Sequence, residues 1–327
     1  MQSISRRGFV ISAAAAGAVF GLDKPLEFIT PAFAQQPSQP LLDKGFFKFK
    51  VGDIEVTQVY DGVWEKPHDE TFIKGVSVDQ TKAALKASGI NDASVPIPFT
   101  VTVIKVKDKY IMFDSGTGAQ GAPTAGLIVK KDMLKAAGID PAKIGTIIVT
   151  HFHADHIFGL MAKDTNAQTF ANAEIIMPSA EYKYWTDAGV FTTLAAPRHP
   201  LAKRIQATLP TWKNIKQVES GKDAVPGVRA VSSYGHTPGH TSYLVSSRGK
   251  QLMVLGDVSN VPALFVKNPD WQAGFDQDAA LAQTNRHKMF DRVVADKVTV
   301  TGYHFGLPGA GKIKKDGKGY AFVPISV

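Results

Sequence analysis

The sequence contains no cysteine. That excludes disulfides, thiolate nucleophiles, iron–sulfur clusters and cysteine-bound zinc, so any metal must be held by His, Asp or Glu. No apolar run reaches the ~20 residues needed to span a bilayer, and no repeat of roughly 20 to 50 residues points to a solenoid or propeller. Charged residues make up 20% and hydrophobic residues 44% of the 327. Those proportions exclude wholesale disorder and a multi-span membrane protein, and the length is ample for a buried core. The net charge is +8, yet the basic excess gathers only in Lys130–Lys131 and Lys312 to Lys318, clusters of the kind that form solvated faces. Nucleic acid is therefore not an expected partner.

The first 34 residues read as an address. Arg6-Arg7 precedes an apolar stretch of about 14 residues, Phe9 to Leu22, too short to span a bilayer. Ala32-Phe33-Ala34 supplies a small-x-small cleavage pattern. The segment resembles a twin-arginine export signal, which implies use of the twin-arginine export machinery, cleavage after Ala34, a periplasmic mature chain and no stable membrane association. Residues 35–44 are polar and Pro-rich in their first half and read as a flexible tether. One continuous domain is expected over 45–327, with homodimer formation left open.

Alternation at period 2 predicts strands over Ile54 to Tyr60 and Thr100 to Val106, the latter turning at Lys107-Asp108-Lys109 into Tyr110 to Phe113. Further strands are expected at Thr146 to Thr150, Glu174 to Met177, Val228 to Ser232, Ser242 to Ser246, Leu252 to Leu255 and Val298 to Thr301. Helical spacing marks Val78 to Lys86, Thr124 to Ala137 (stopped by Gly138), Ser179 to Thr186, Pro200 to Ala207 and Asp278 to Ala295. Strands and helices interspersed in both halves imply sheets covered by helices.

The chemistry concentrates in Thr150-His151-Phe152-His153-Ala154-Asp155-His156. Four coordinating side chains follow directly on an apolar strand, at the end where α/β sheets place their sites. Histidines used as core or capping residues would explain one or two of them, but not three with an aspartate between. Three later segments, each after an apolar strand, offer more ligands: Gly235-His236-Thr237-Pro238-Gly239-His240, Leu255-Gly256-Asp257 and Gly302-Tyr303-His304. His236 and His240, four residues apart in one motif, compete for one place. His68, His199 and His287 lack partners at ligand spacing and read as surface residues. Gly306 to Gly311 lacks the Lys-Ser or Lys-Thr of a phosphate cradle and reads as a loop beside the site.

The order H-x-H-x-D-H, G-H-T-P-G-H, L-G-D and a late His resembles the metallo-β-lactamase superfamily. The opening from Gly45 (Gly-Phe-Phe-Lys-Phe-Lys-Val-Gly-Asp) and the ending from Gly317 are similar to its exported methyl parathion hydrolase group. The resemblance implies an α/β fold of the αβ/βα four-layer sandwich type, two mixed sheets face to face with helices outside. It also implies that His151, His153 and His236 hold one metal, that Asp155, His156 and His304 hold a second, and that Asp257 bridges them. His240 and Asp114, the latter at the end of Phe113-Asp114-Ser115-Gly116, are then expected to orient ligands.

Two divalent ions held by such a set can share and acidify a water and polarise a carbonyl or phosphoryl oxygen, which makes a hydrolase with Asp155 and Asp257 at its centre. Zinc suits a His-rich site best, with manganese, iron and cobalt as alternatives. A bridging Asp257 argues against β-lactamase action. Asn260 stands three residues on, where the acyl-homoserine lactonases of the superfamily carry a tyrosine. The expected small-molecule substrate is therefore a neutral ester, an aryl phosphotriester first and a lactone or aryl ester second; a nuclease and a metal-binding scaffold without turnover rank lower. Phe152, Phe158, Trp185, Phe191, Phe305 and Leu307, together with Asn260, are the candidate walls of an apolar substrate pocket.

Overall fold

The computed structural model describes residues 39–326; the expected export segment and residues 35–38 of the expected tether lie outside them. Helix α1 (Gln39–Lys44) occupies the second half of the expected tether, its Leu41 buried beside Phe47 and Leu307. Burial of those apolar side chains orders a segment whose polar composition predicts none.

The first half of the chain supplies β1 (Phe46–Val51), β2 (Ile54–Lys66), β3 (Ile73–Lys74), β4 (Val95–Val106), β5 (Lys109–Phe113), β6 (Ile144–Ile148), β7 (Glu174–Pro178) and β8 (Ile215–Val218). All but β3 form one mixed sheet in the order β1-β2-β4-β5-β6-β7-β8, antiparallel as far as β5 and parallel beyond it. The second half supplies β9 (Asp223–Val225), β10 (Val228–Ser232), β11 (Thr241–Ser247), β12 (Lys250–Val254), β13 (Gln272–Ala273), β14 (Thr299–Thr301), β15 (Ala310–Asp316) and β16 (Gly319–Pro324). Its sheet runs β16-β15-β14-β12-β11-β10-β9, with one parallel pair, β12 and β14.

Alternation along the strands builds three apolar layers. Val56, Ile104, Phe113 and Ile148 of the first sheet meet Ala230, Tyr243, Val245 and Val254 of the second, so the sheets pack face to face. The opposite face of the second sheet, with Leu244, Met253 and Val300, is covered by Met289, Phe290 and Val293 of the 17-residue helix Ala279–Ala295, whose N-terminus is capped by Asp278. The opposite face of the first sheet is covered by the helices at Val78–Ala87, Ser179–Thr186 and His199–Thr208. This is the expected four-layer sandwich.

One local expectation fails. The helix foreseen over Thr124 to Ala137 is two four-residue turns, Leu127–Lys130 and Met133–Ala136, broken where Asp132 takes a left-handed φ of 48°. Aspartate tolerates that conformation better than most residues, and the break lets both Met133 and Leu134 reach the core. The Lys312 to Lys318 cluster is the tip of the β15–β16 hairpin, with Lys314 and Lys315 exposed. Among the described residues no helix is long and apolar enough to cross a membrane.

Candidate metal centre

Four strand ends deliver the site. His151 and His153 follow β6, with Asp155 and His156 on the short helix Ala154–Ile157; His236 lies in the loop after β10, Asp257 after β12 and His304 after β14. Gly256 makes the third of these turns with φ +57°, and a Cβ there would lie 2.7 Å from His240 Nε2.

In the first cluster the ring nitrogens face one another. His151 Nε2 and His153 Nδ1 are 3.0 Å apart, His236 Nε2 and His151 Nε2 3.1 Å, and His236 Nε2 and His153 Nδ1 2.8 Å. In the second, His156 Nε2 and His304 Nε2 lie 3.4 and 3.5 Å from Asp155 Oδ2. The Asp257 carboxylate stands between the two, with Oδ2 3.3 Å from His236 Nε2 and 3.0 Å from His304 Nε2, and Oδ1 3.3 Å from His156 Nε2.

The donor set fits two metal ions on the structure's own chemistry. A neutral imidazole carries one N–H, and His236 directs Nδ1 at Asp276 Oδ1, 2.8 Å away, which leaves Nε2 bare toward the other two rings. His304 likewise donates Nδ1–H to the Pro98 carbonyl at 2.8 Å. His156 Nε2 and Asp257 Oδ1 are fully buried without a hydrogen-bond partner in the protein. Buried polar atoms rarely stay unsatisfied, and those of these two residues converge on one point.

The surroundings fix each ligand. Asp114 accepts Thr150 N–H at 2.7 Å through Oδ1 and holds His156 Nδ1 at 2.9 Å through Oδ2. His240 turns away from the cluster: Nδ1 meets Ser233 Oγ at 2.8 Å and Nε2 accepts the Asp257 backbone N–H at 2.9 Å. Of the two competitors it is therefore His236 whose ring joins the cluster, while His240 pins the turn that carries Asp257. Three further residues have no signal in the sequence, because each acts across a long separation in the chain. Glu181 accepts Phe152 N–H, Trp185 Nε1–H, Thr237 Oγ–H and Gly239 N–H at 2.7–2.9 Å. Asp276 orients His236 and lies 3.4 Å from Arg286, which is itself anchored on the Val258 carbonyl. Arg198 reaches the outer nitrogen of His153 at 2.8 Å.

Burial and charge divide the rings electrostatically. His151 and His153 are held well below the ordinary histidine range, by burial first and then by neighbouring cationic groups. His240 is lowered to about 3, again chiefly by burial. For His156 and His304 burial works the same way but is outweighed, by Asp257, Asp155 and Asp114 at the former and by Asp257 and Asp155 at the latter, so both are raised. Burial would raise Asp257, but His304, His156 and His236 hold it well below the carboxylate range.

The cluster forms the floor of a cavity of about 480 Å³ whose apolar walls include Trp64, Ile97, Phe99, Phe158, Leu201 and Phe275. Asn260 lines it as expected, but most of the other expected wall residues do not. Phe152 and Trp185 are fully buried in the core, packed under the first sheet, and Phe191 packs against His199 at 5.2 Å. Phe305 and Leu307 line a separate cavity of about 460 Å³ beyond His304. The alternation of β4 explains the division, since Ile97 and Phe99 face the first cavity and Pro96 and Pro98 the second. His68, His199 and His287 stand outside the cluster, bonded to the Asp92 carbonyl, the Leu194 carbonyl and Asp270.

Residues 98–296 match the family described as the Metallo-beta-lactamase superfamily. The chain belongs to that superfamily. It is 32% identical over 159 residues to an N-acyl homoserine lactonase of Bacillus sp., covering 48% of this chain and 55% of that protein. It is 26% identical over 231 residues to the N-acyl homoserine lactonase AiiA of Bacillus thuringiensis subsp. kurstaki, covering 63% of this chain and 84% of that one. The chain spans about half the length of the first curated relatives it matches. Among solved structures, AidC, a dizinc quorum-quenching lactonase, superposes with a TM-score of 0.80 at 25% identity, over 86% of this chain and 98% of that one. AbOPH, a hydrolase of the beta lactamase superfamily, does so with a TM-score of 0.79 at 25% identity, with the same coverage.

Proposed function

We propose that the protein is a dinuclear metal-dependent hydrolase that opens N-acyl homoserine lactones. The observation that carries the reading is the Asp257 carboxylate set between two ligand clusters at the floor of an apolar cavity, in a chain whose curated relatives are lactonases. This reverses the order of substrates read from the sequence. Those relatives give no support to the likeness of the chain ends to the methyl parathion hydrolase group, so a lactone takes first place over an aryl phosphotriester.

His151, His153 and His236 would hold one ion and Asp155, His156 and His304 the other, with Asp257 shared; zinc suits these nitrogen and oxygen donors. Bound there, two such ions would supply Lewis-acid polarisation of the lactone carbonyl and a water acidified toward neutral pH. The protein's own groups do the rest. Trp64, Phe99 and Phe158 take the acyl chain out of water. Asn260 lines the cavity, and because its Oδ1 already accepts the Val261 N–H, its amide N–H is the group it can offer to a lactone carbonyl. Asp155 lines the cavity with its side chain 27% exposed and its pKa lowered by His156 and His304 against burial. As a carboxylate it takes the proton of the attacking water and passes it to the ring oxygen as the C–O bond breaks.

The test is a parallel panel of N-hexanoyl-L-homoserine lactone, methyl parathion, an aryl acetate, a glutathione thioester and a cephalosporin, with chelated protein as the control. The lactone should be consumed fastest and chelation should abolish turnover. Preferential loss of the phosphotriester would restore the sequence-based order. Loss of nothing would leave a scaffold. We propose, further, that residues 1–34 direct export of the folded chain to the periplasm, on the strength of Arg6-Arg7 and the Ala-Phe-Ala site.

A further inference from the structure

Arg198 is the one lysine or arginine on the wall of the 480 Å³ cavity. It sits immediately before the helix His199–Thr208, which carries Leu201 of the same wall. One of its five N–H groups donates to the Phe275 carbonyl at 2.6 Å, and the other terminal nitrogen stands 2.8 Å from His153 Nε2. The Phe275 contact anchors one end of the fork. No carboxylate of the described residues closes an ion pair on it. The contact with His153 is also a poor use of a donor. With Nδ1 turned to His151 and His236 as a metal ligand, the neutral His153 ring carries its proton on Nε2 and has nothing to accept with.

A half-buried cation without an ion-pair partner, on the wall of a mostly apolar cavity beside the reacting centre, presents donors to an acceptor from outside the protein. Resting on the lactonase reading, we propose that Arg198 is a specificity-determining residue that hydrogen-bonds the side-chain amide carbonyl oxygen of an N-acyl lactone. It thereby makes the enzyme prefer N-acylated lactones to lactones bearing a plain alkyl tail. The aromatic walls grip either tail, whereas the guanidinium distinguishes the two, because a substrate without the amide leaves its free N–H groups unpaired in the cavity.

The experiment compares N-hexanoyl-L-homoserine lactone with α-hexyl-γ-butyrolactone, which has the same ring and a similar tail but no amide, on the wild type, Arg198→Met and Arg198→Lys. The wild type should favour the amide-bearing lactone in kcat/KM, and Arg198→Met should lower that preference by about 10- to 100-fold, through the amide substrate alone. Arg198→Lys keeps the charge but not the fork and should recover only part of it. Equal losses on both lactones, or none on either, overturn the proposal.

Calorimetric binding of the two ring-opened hydroxy acids to the zinc-loaded proteins gives a readout independent of turnover, with the zinc content of each variant measured alongside. Weakening of N-hexanoyl-L-homoserine alone in Arg198→Met supports the amide contact. Equal weakening of both acids would place Arg198 on the carboxylate, and no weakening would remove it from the site. If the wild type opens neither lactone the function proposed above falls, while this binding comparison still decides the role of Arg198.

Discussion

Glu181 Oε1 accepts the backbone N–H of Phe152 at 2.9 Å, so a fully buried carboxylate on the helix Ser179–Thr186 holds the residue between the two histidines of the first metal loop. Its other oxygen accepts Thr237 Oγ–H and Gly239 N–H from the loop that carries His236. One side chain thus sets the spacing between His151, His153 and His236. Glu181→Gln must turn an amide N–H₂ toward one pair of these donors, which should cost about 2–4 kcal/mol of stability. It should also weaken metal binding about 10- to 100-fold, as the loss of an orienting partner does. Denaturant unfolding and chelator competition check both numbers, and unchanged metal affinity would confine Glu181 to a structural role. Burial raises the Glu181 pKa while its four donors pull the other way, so the variant should also shift the pH dependence of unfolding.

His236→Ala should weaken metal binding far more than His240→Ala. The first removes a bare nitrogen 2.8 Å from His153 Nδ1 and 3.1 Å from His151 Nε2. The second removes a ring whose two nitrogens are occupied by Ser233 and the Asp257 backbone, and acts on the centre only by loosening the Asp257 turn. Competition with a chelator of known affinity measures both, and equal losses would mean that His240 exchanges places with His236.

The clustered His and Asp residues were legible because they follow apolar strands in short, dense motifs, and a strand end is where a sheet delivers a side chain into a shared crevice. The sandwich was legible for the same reason, through strands of alternating polarity. The cavity wall was not. Trp185 and Phe152 look like wall residues beside the motif, but proximity in the chain to a ligand does not decide which side of a strand or helix faces the metals. Ile97, Phe99 and Phe275 reach the cavity from 50 to 120 residues away through the tertiary fold. Glu181 and Asp276 escaped for a related reason: a carboxylate that orients a loop needs only contact, not spacing.

Arg6 and Arg7 predict the route of export. Replacing both with lysine keeps the charge but removes the guanidinium pair, and precursor should accumulate in the cytoplasm. Continued export of the Lys-Lys form would point to the general secretory route, and recovery of uncleaved chain with membranes would point to an anchor. The exported protein should begin at Gln35, which N-terminal sequencing reads directly.

Acid should empty the two metal positions in order. A ring must lose its proton before it can bind a metal, so the pH at which protons compete rises with the pKa of the ligand. His151 and His153 are pushed well below the ordinary range by burial and by neighbouring cationic groups, which keeps them neutral and available far into the acid range. His156 and His304 are raised, because Asp257 and Asp155 outweigh burial, and they take up protons at a higher pH. The sign is therefore fixed: as pH falls, protonation reaches the Asp155, His156 and His304 position first. Metal content after dialysis across a pH series should pass from two ions per chain through a plateau near one before reaching zero. Asp114→Asn should shift the first step to lower pH, since it removes one of the carboxylates that raise His156. Simultaneous loss of both ions, or a first step that Asp114→Asn leaves in place, would show that the shared Asp257 couples the positions more strongly than the surrounding carboxylates separate them.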